Sequence, residues 1–111
     1  MISQVQLIAP KPLPATVASV LTAPANTTYR IGRACFSNPT PGAVTVTAYL
    51  VPTAGSPGAA NALIDALVVG AGSTYVSPEL AGLVIPAGSS LQAFASTGGA
   101  LVLYASGVSI Q

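Results

Sequence analysis

Short runs in which apolar and polar residues alternate recur along the chain, and turn-forming residues separate them. The clearest run covers residues 43–51, where Val, Ala and Leu occupy one set of alternate positions and Thr and Tyr occupy the other. A period of two with β-branched residues is typical of a strand that buries one face and leaves the other semi-polar. Runs of this kind predict seven strands, at residues 15–22, 27–37, 43–51, 62–69, 73–78, 89–96 and 100–110.

Clusters of Gly, Pro and Asn lie between these runs. Gly supplies positive φ angles and Pro pre-sets a turn, so such clusters end strands for physical reasons. The cluster at residues 38–42 predicts a hairpin connection between the strand before it and the strand at residues 43–51. Within the last run, Gly107 is a candidate β-bulge.

Short strands at even spacing indicate an all-β fold, an antiparallel β-sandwich that is either Ig-like or jelly-roll-like. We expect about seven to eight strands in a single domain over residues 15–111, which is close to the usual size of one domain. Residues 59–69 also have a composition that suits a short helix. The β-type runs on either side and the glycines that close the segment favour a strand there.

Residues 1–14 differ from the rest because Pro10, Pro12 and Pro14 interrupt an otherwise apolar segment. Pro cannot donate a hydrogen bond to a central ladder, so we predict an extended N-terminal arm or an edge strand here. Extended, proline-spaced segments are semi-rigid and keep their reach, and we expect this arm to dock on a neighbouring subunit. The apolar side chains expected at that interface are Val5, Leu7, Ile8 and Leu13.

The same segment does not predict a secretory signal, because it lacks a basic region and its prolines interrupt any apolar core. No apolar run in the sequence approaches the roughly 20 residues of a membrane span. We therefore expect synthesis in the cytosol and no membrane partner.

Charge is scarce along the chain. Only five of the 111 residues carry a full charge, and the net charge is +1. These residues are Lys11, Arg30, Arg33, Asp65 and Glu79. Ordinary domains are about one quarter charged, and a weakly charged surface promotes association. We therefore expect a protein that functions inside an assembly and forms a homo-oligomer, with a trimer as the expected state.

The chain offers little material for catalysis. His is absent, so the single cysteine, Cys35, has no imidazole to activate it. Two carboxylates and one thiol fall short of the usual metal-ligand sets. Three basic residues are too few to displace the counterions of a nucleic acid. We expect no enzymatic activity, no cofactor, no metal and no nucleic-acid partner, and we expect Cys35 to be a buried apolar residue.

Arg30, Arg33 and Glu79 are the charged residues that we predict at a subunit interface. In a regular strand, positions 30 and 33 have opposite parity, so the two arginines should point to opposite faces. Arg is enriched at interfaces because its planar fork makes bidentate hydrogen bonds. We expect one or both arginines to pair with Glu79 or Asp65, within one chain or between copies.

Residues 26–40 and 43–52 form an aromatic strand, an Asn-containing turn and a Thr/Val strand, followed by a Pro/Gly loop. Apolar strands and an Ala-Gly turn follow, at residues 83–88, 91–95 and 105–110. This order, over roughly residues 15–111, resembles the small β-sandwich virion proteins of tailed bacteriophages. The resemblance implies a virion role in multimers, without catalysis. Such proteins resemble capsid decoration (cement) proteins, tail or neck components and head fibres.

We expect a structural virion protein of a tailed phage that decorates and stabilises the capsid, with the major capsid protein or other virion subunits as partners. Buried apolar surface contributes about 25 cal/mol per Å², so a modest contact repeated over a lattice resists outward pressure. A tail or neck component is the alternative within this class. A receptor- or carbohydrate-binding module on a fibre is the other alternative, which rests on Tyr29, Tyr49, Tyr75 and Tyr104.

Overall fold

The computed structural model describes residues 2–111 and consists of two antiparallel β-sheets. The strands are β1 (Ile2–Pro12), β2 (Ala18–Thr22), β3 (Thr28–Ser37), β4 (Val44–Val51), β5 (Ala62–Val69), β6 (Thr74–Val76), β7 (Val84–Ile85), β8 (Ser90–Ala95) and β9 (Val102–Ile110). The only helical segment within residues 2–111 is one 3-10 turn, Ala59–Asn61. The predicted all-β sandwich is therefore confirmed, with nine strands instead of seven or eight.

The strand order identifies the sandwich as a jelly roll. The first sheet has the order β1-β9-β3-β6, with β7 also paired to β3, and the second sheet has the order β2-β8-β4-β5. Because β6 and β7 pair with opposite halves of β3, they share one edge position of the first sheet. The chain then crosses between the sheets at almost every connection, as in the eight-stranded jelly roll. In an Ig-like sandwich the first two strands would pair within one sheet.

The core lies between the two sheets and is built from the inward face of each strand. The largest fully buried side chains are Phe36, Leu13, Ile31, Leu80, Ile85, Leu91, Leu101 and Leu103. The alternation predicted for β4 is confirmed, because Val44, Val46 and Ala48 are buried in this core. Thr47, on the other face of β4, is also buried, and its hydroxyl accepts a hydrogen bond from the Ala66 amide at 3.1 Å.

Residues 38–42 do not make the predicted hairpin. They connect β3 in the first sheet to β4 in the second sheet, so the chain crosses the sandwich at this point. Asn38 is buried in the connection and bonds to the end of β5 through the Val69 carbonyl. The helix considered for residues 59–69 is limited to the 3-10 turn, and the remainder is strand β5.

The segment predicted as an N-terminal arm forms the edge strand β1 of the first sheet and pairs along its length with β9 of the same chain. A shift in pairing between Gln6 and Ile8 turns Ile8 toward the core, opposite Ala105. Ile8 and Leu13 are buried among this chain's own core residues, and Leu7 packs against them. Ile8 and Leu13 therefore pack within the chain itself, which differs from the subunit contact predicted for them. Met1, included in the predicted arm, lies outside the described residues.

Candidate interaction surface

A β-bulge in β3 brings the two arginines of this strand to one face of the first sheet. Ile31 pairs with Gly107 of β9, and the next pair is Arg33 with Ser106, so Gly32 is an extra residue. Ile31 on one side of the bulge and Ala34 on the other are both fully buried, while Arg30 and Arg33 are exposed. The prediction that these arginines point to opposite faces is wrong, because the extra residue reverses the alternation of β3.

Of the two glycines at this bulge, Gly107 is the one that the close approach of the strands requires. A Cβ atom on Gly107 would overlap the carbonyl oxygen of Arg30 and would lie 2.9 Å from the Gly32 nitrogen. The backbones of β3 and β9 therefore approach each other so closely that only glycine fits at position 107. The sequence indicated a bulge at Gly107, and the structure places the extra residue on the partner strand.

The glycines also form the floor of an open groove on the outer face of the first sheet. The groove has a volume of about 490 Å³ and lies between β1, β9 and β3. Its lining residues are Gln4, Val5, Gln6, Gly32, Arg33, Ser106, Gly107 and Val108. A second depression of about 230 Å³ extends it past Arg30 to Gly82. Val5, which the sequence predicts at an interface, thus lines this surface.

We call the outward side chains of the first sheet the arginine face. Besides both arginines, it carries Gln4 and Gln6 of β1, Val102, Tyr104, Ser106 and Val108 of β9, Cys35 of β3, Val76 of β6 and Val84 of β7. Val76 and Val84 are 49% and 47% exposed and are among the exposed large apolar side chains of the chain. A face that combines Arg with exposed aliphatic residues is typical of a protein interface.

Glu79 lies outside the arginine face and has other partners. It accepts hydrogen bonds from the Tyr75 hydroxyl at 2.5 Å and from the Ser77 hydroxyl at 3.1 Å. The bond from Tyr75 lowers the pKa of Glu79, and the same bond raises the pKa of Tyr75 to about 12. Within residues 2–111 no ion pair joins either arginine to Asp65 or Glu79, so the predicted intrachain pairing is not formed.

Tyr75→Phe should lower the stability of the fold between acid and alkaline pH and make that stability depend less on pH. The Glu79 contribution, with its lowered pKa, is present above the ordinary carboxyl pKa and is lost as pH falls. The Tyr75 contribution, with its raised pKa, is present below pH 10 and is lost as pH rises toward 12. Because the pair is solvent-exposed, the loss near neutral pH should be at most about 1 kcal/mol.

Thermal unfolding across pH tests this pair, with Tyr104→Phe as the matched control on the arginine face. We expect Tyr75→Phe to be less stable than Tyr104→Phe only at pH values between the acid and alkaline limits, where Tyr75 and Glu79 are bonded in the wild type. Identical stability profiles for both variants would contradict a stabilising role for the pair.

The remaining residues that the sequence singled out do not gather into one site. Cys35 is half-buried on the arginine face, so the expectation that it belongs to the core is wrong. Tyr29 and Tyr75 pack against the core, whereas Tyr49 stacks on Phe94 on the outer face of the second sheet, with ring centroids 6.5 Å apart. The four tyrosines therefore form no shared platform for a sugar, which weakens the carbohydrate alternative.

Neither a cluster of metal ligands nor a membrane-spanning helix occurs in the part of the chain that the structure describes. Residues 2–111 contain no group of three or more His, Cys, Asp or Glu side chains able to hold a metal ion. Over the same residues, no helix has the length and apolarity to cross a membrane.

Chains from structures of infectious bursal disease virus share the fold. A chain of the Gx strain structure matches with a TM-score of 0.52 and 14% identity, over 98% of this chain and 30% of its own length. A chain of the VP2 subviral particle matches with a TM-score of 0.51 and 14% identity, over 98% and 31%. A chain of the T13 viral particle matches with a TM-score of 0.54 and 15% identity, over 98% and 30%.

This protein thus spans less than a third of the length of the chains that it matches. No family model and no curated protein matches it. At such low identity the likeness concerns the fold alone, which is a jelly roll that occurs in virus particles. The matched particles belong to an animal virus, so the tailed-phage assignment and the decoration role stay predictions.

Proposed function

We propose that the chain is a structural subunit of a virus particle, and that it decorates and stabilises the capsid of a tailed phage. The observation that carries the virion role is the shared jelly roll over 98% of the chain in proteins of virus particles. The decoration role and the phage rest on the sequence resemblance. In this role the protein has no catalytic activity.

The surface of the protein suits repeated contacts within an assembly. The arginine face presents exposed valines beside two arginines, and the charged residues elsewhere are few. A subunit that binds the assembled lattice, and not the free capsid protein, stabilises the lattice by mass action. Each contact can be modest, because symmetry repeats it many times.

Particles of the encoding virus that lack this protein should form with normal shape but release their genome at a lower temperature. Electron microscopy of complete particles should show its density on the outer surface of the head, and the copies in each cluster can be counted there. We expect clusters of three. Nuclease sensitivity of the genome after heating reports how much genome the particles have released. The difference between particles with and without the protein measures the stabilisation.

Two results would overturn parts of this proposal. Density at only the neck or along the tail, with heads equally heat-resistant, would replace decoration by the tail or neck role. Absence of the protein from purified particles would overturn the virion role altogether.

A further inference from the structure

We propose that the groove on the arginine face binds an extended acidic segment of a partner virion protein, with two carboxylates at alternate positions that pair with Arg30 and Arg33. This inference rests on the proposed function, because it names the chemistry of the partner surface. It begins from the bulge at Gly32, which aims both arginines outward.

The spacing of the arginines fits such a segment. Arg30 pairs with Val108 and Arg33 pairs with Ser106, which are alternate residues on β9. The two arginine Cα atoms are therefore about 7 Å apart along the sheet, the rise of two residues in an extended strand. Carboxylates at alternate positions of an extended peptide project from one face with the same spacing. Arg binds carboxylates with two parallel hydrogen bonds, which makes this match specific.

The groove can receive the backbone of the segment. Gly32 and Gly107 present no side chains on its floor, so a peptide can approach the sheet closely. Gln4 and Gln6 form the wall on the β1 side, and each amide can both donate to and accept from a peptide backbone. The volume of about 490 Å³ lies within the range of roughly 300–1,000 Å³ that is usual for ligand sites.

Charge complementarity selects an acidic partner that is not a second copy of this chain. Neither arginine has a carboxylate partner within the described residues, so both cations remain available. The chain's own carboxylates, Asp65 and Glu79, are 14 positions apart (79 − 65), and Glu79 is held by Tyr75 and Ser77. Two carboxylates at alternate positions must therefore come from another protein. Two cations are too few for a nucleic-acid backbone.

Binding of a labelled synthetic peptide of alternating Asp and Thr, measured by fluorescence anisotropy, tests the groove. Arg30→Gln and Arg33→Gln should each weaken binding about tenfold, because each removes a charge-assisted pair. Lys11→Gln is the matched control: it removes an exposed positive charge outside the groove lining and should change the Kd less than about twofold. A peptide of the same composition with the Asp residues adjacent should bind more weakly.

Gly32→Leu provides an independent variant that fills the groove and keeps both charges. A Cβ atom at Gly32 would lie 3.6 Å from the nearest atom, the Ser106 carbonyl oxygen, so the fold should tolerate the substitution. We expect it to abolish peptide binding, with thermal unfolding confirming that the protein is folded. Equal weakening by Lys11→Gln and the arginine variants, or stronger binding of a single-stranded oligonucleotide than of the peptide, would overturn the inference.

Occupancy on particles separates this inference from the proposed function. Wild-type protein should load onto particles that lack it, and the double variant Arg30→Gln/Arg33→Gln should load poorly. Full loading of the double variant would overturn the acidic-segment inference and leave the virion role standing. Peptide binding by a protein that never occurs on particles would support the ligand chemistry and overturn the virion role.

Discussion

Gly107→Ala should lower the free energy of unfolding by roughly 3 kcal/mol or more, and Tm by more than about 10 °C. The added Cβ would overlap the Arg30 carbonyl oxygen, and a backbone atom held in a sheet cannot move aside as a flexible side chain can. To accommodate the methyl group, β3 and β9 must separate at the bulge, at the centre of the first sheet. Denaturant and thermal unfolding measure the loss.

Gly32→Ala is the matched control, because it places the same methyl group on the other glycine of the bulge. Its Cβ would make only ordinary contacts, at 3.6 Å and 3.8 Å, so the change in stability should stay within about 1 kcal/mol. If both variants unfold at the wild-type temperature, the prediction is contradicted, because the close approach of β3 and β9 would then not require glycine at position 107.

The bulge also shows where sequence reasoning stops. The strand boundaries follow from local chemistry: the run at residues 43–51 becomes Val44–Val51, because β-branched alternation and flanking Gly and Pro act within a few residues. The face of the sheet on which a side chain lies depends on the register of its strand. Pairing with a distant strand sets that register. One extra residue at Gly32 therefore placed both arginines on one face, against the parity of the sequence.

The N-terminal segment illustrates the same limit. Its prolines at positions 10, 12 and 14 indicated an extended arm or an edge strand. The edge strand forms because Ile2–Ala9 contains no proline and pairs with β9, more than 90 residues later in the chain, with a register shift after Gln6. The edge strand β7 is only two residues long, which is too short for any periodicity to predict. The groove and the depression beside it thus combine residues that the sequence identified, Arg30, Arg33 and Val5, with glycines and glutamines. The part of these glycines and glutamines depends on the pairing of β1, β9 and β3.

Asn38→Leu should lower the free energy of unfolding by about 3 kcal/mol. A loss of this size is expected when a substitution disrupts a buried hydrogen-bond network. The buried Asn38 amide donates to the carbonyl oxygens of Gly42 and Val69, both at 2.9 Å, and its oxygen accepts from the Thr40 amide and hydroxyl. Leu has a similar size but leaves the Val69 carbonyl oxygen without its partner at a buried position, and it removes the partly buried bonds to Gly42 and Thr40. The network joins the crossing from β3 to β4 with the end of β5, so its loss weakens both sheets.

Asn61→Ala is the control for this last prediction, because Asn61 also bonds to the backbone through both side-chain atoms, but at a solvent-accessible turn. Water can replace those bonds, so the cost should stay below about 1 kcal/mol. Asn38→Asp adds a pH signature: its carboxylate would face two carbonyl oxygens, which raises its pKa in the folded state. That variant should therefore be least stable above its raised folded-state pKa. It should recover as the pH falls from there toward the ordinary Asp pKa of about 3.9. Equal losses for Asn38→Leu and Asn61→Ala would show that burial does not set the strength of this network.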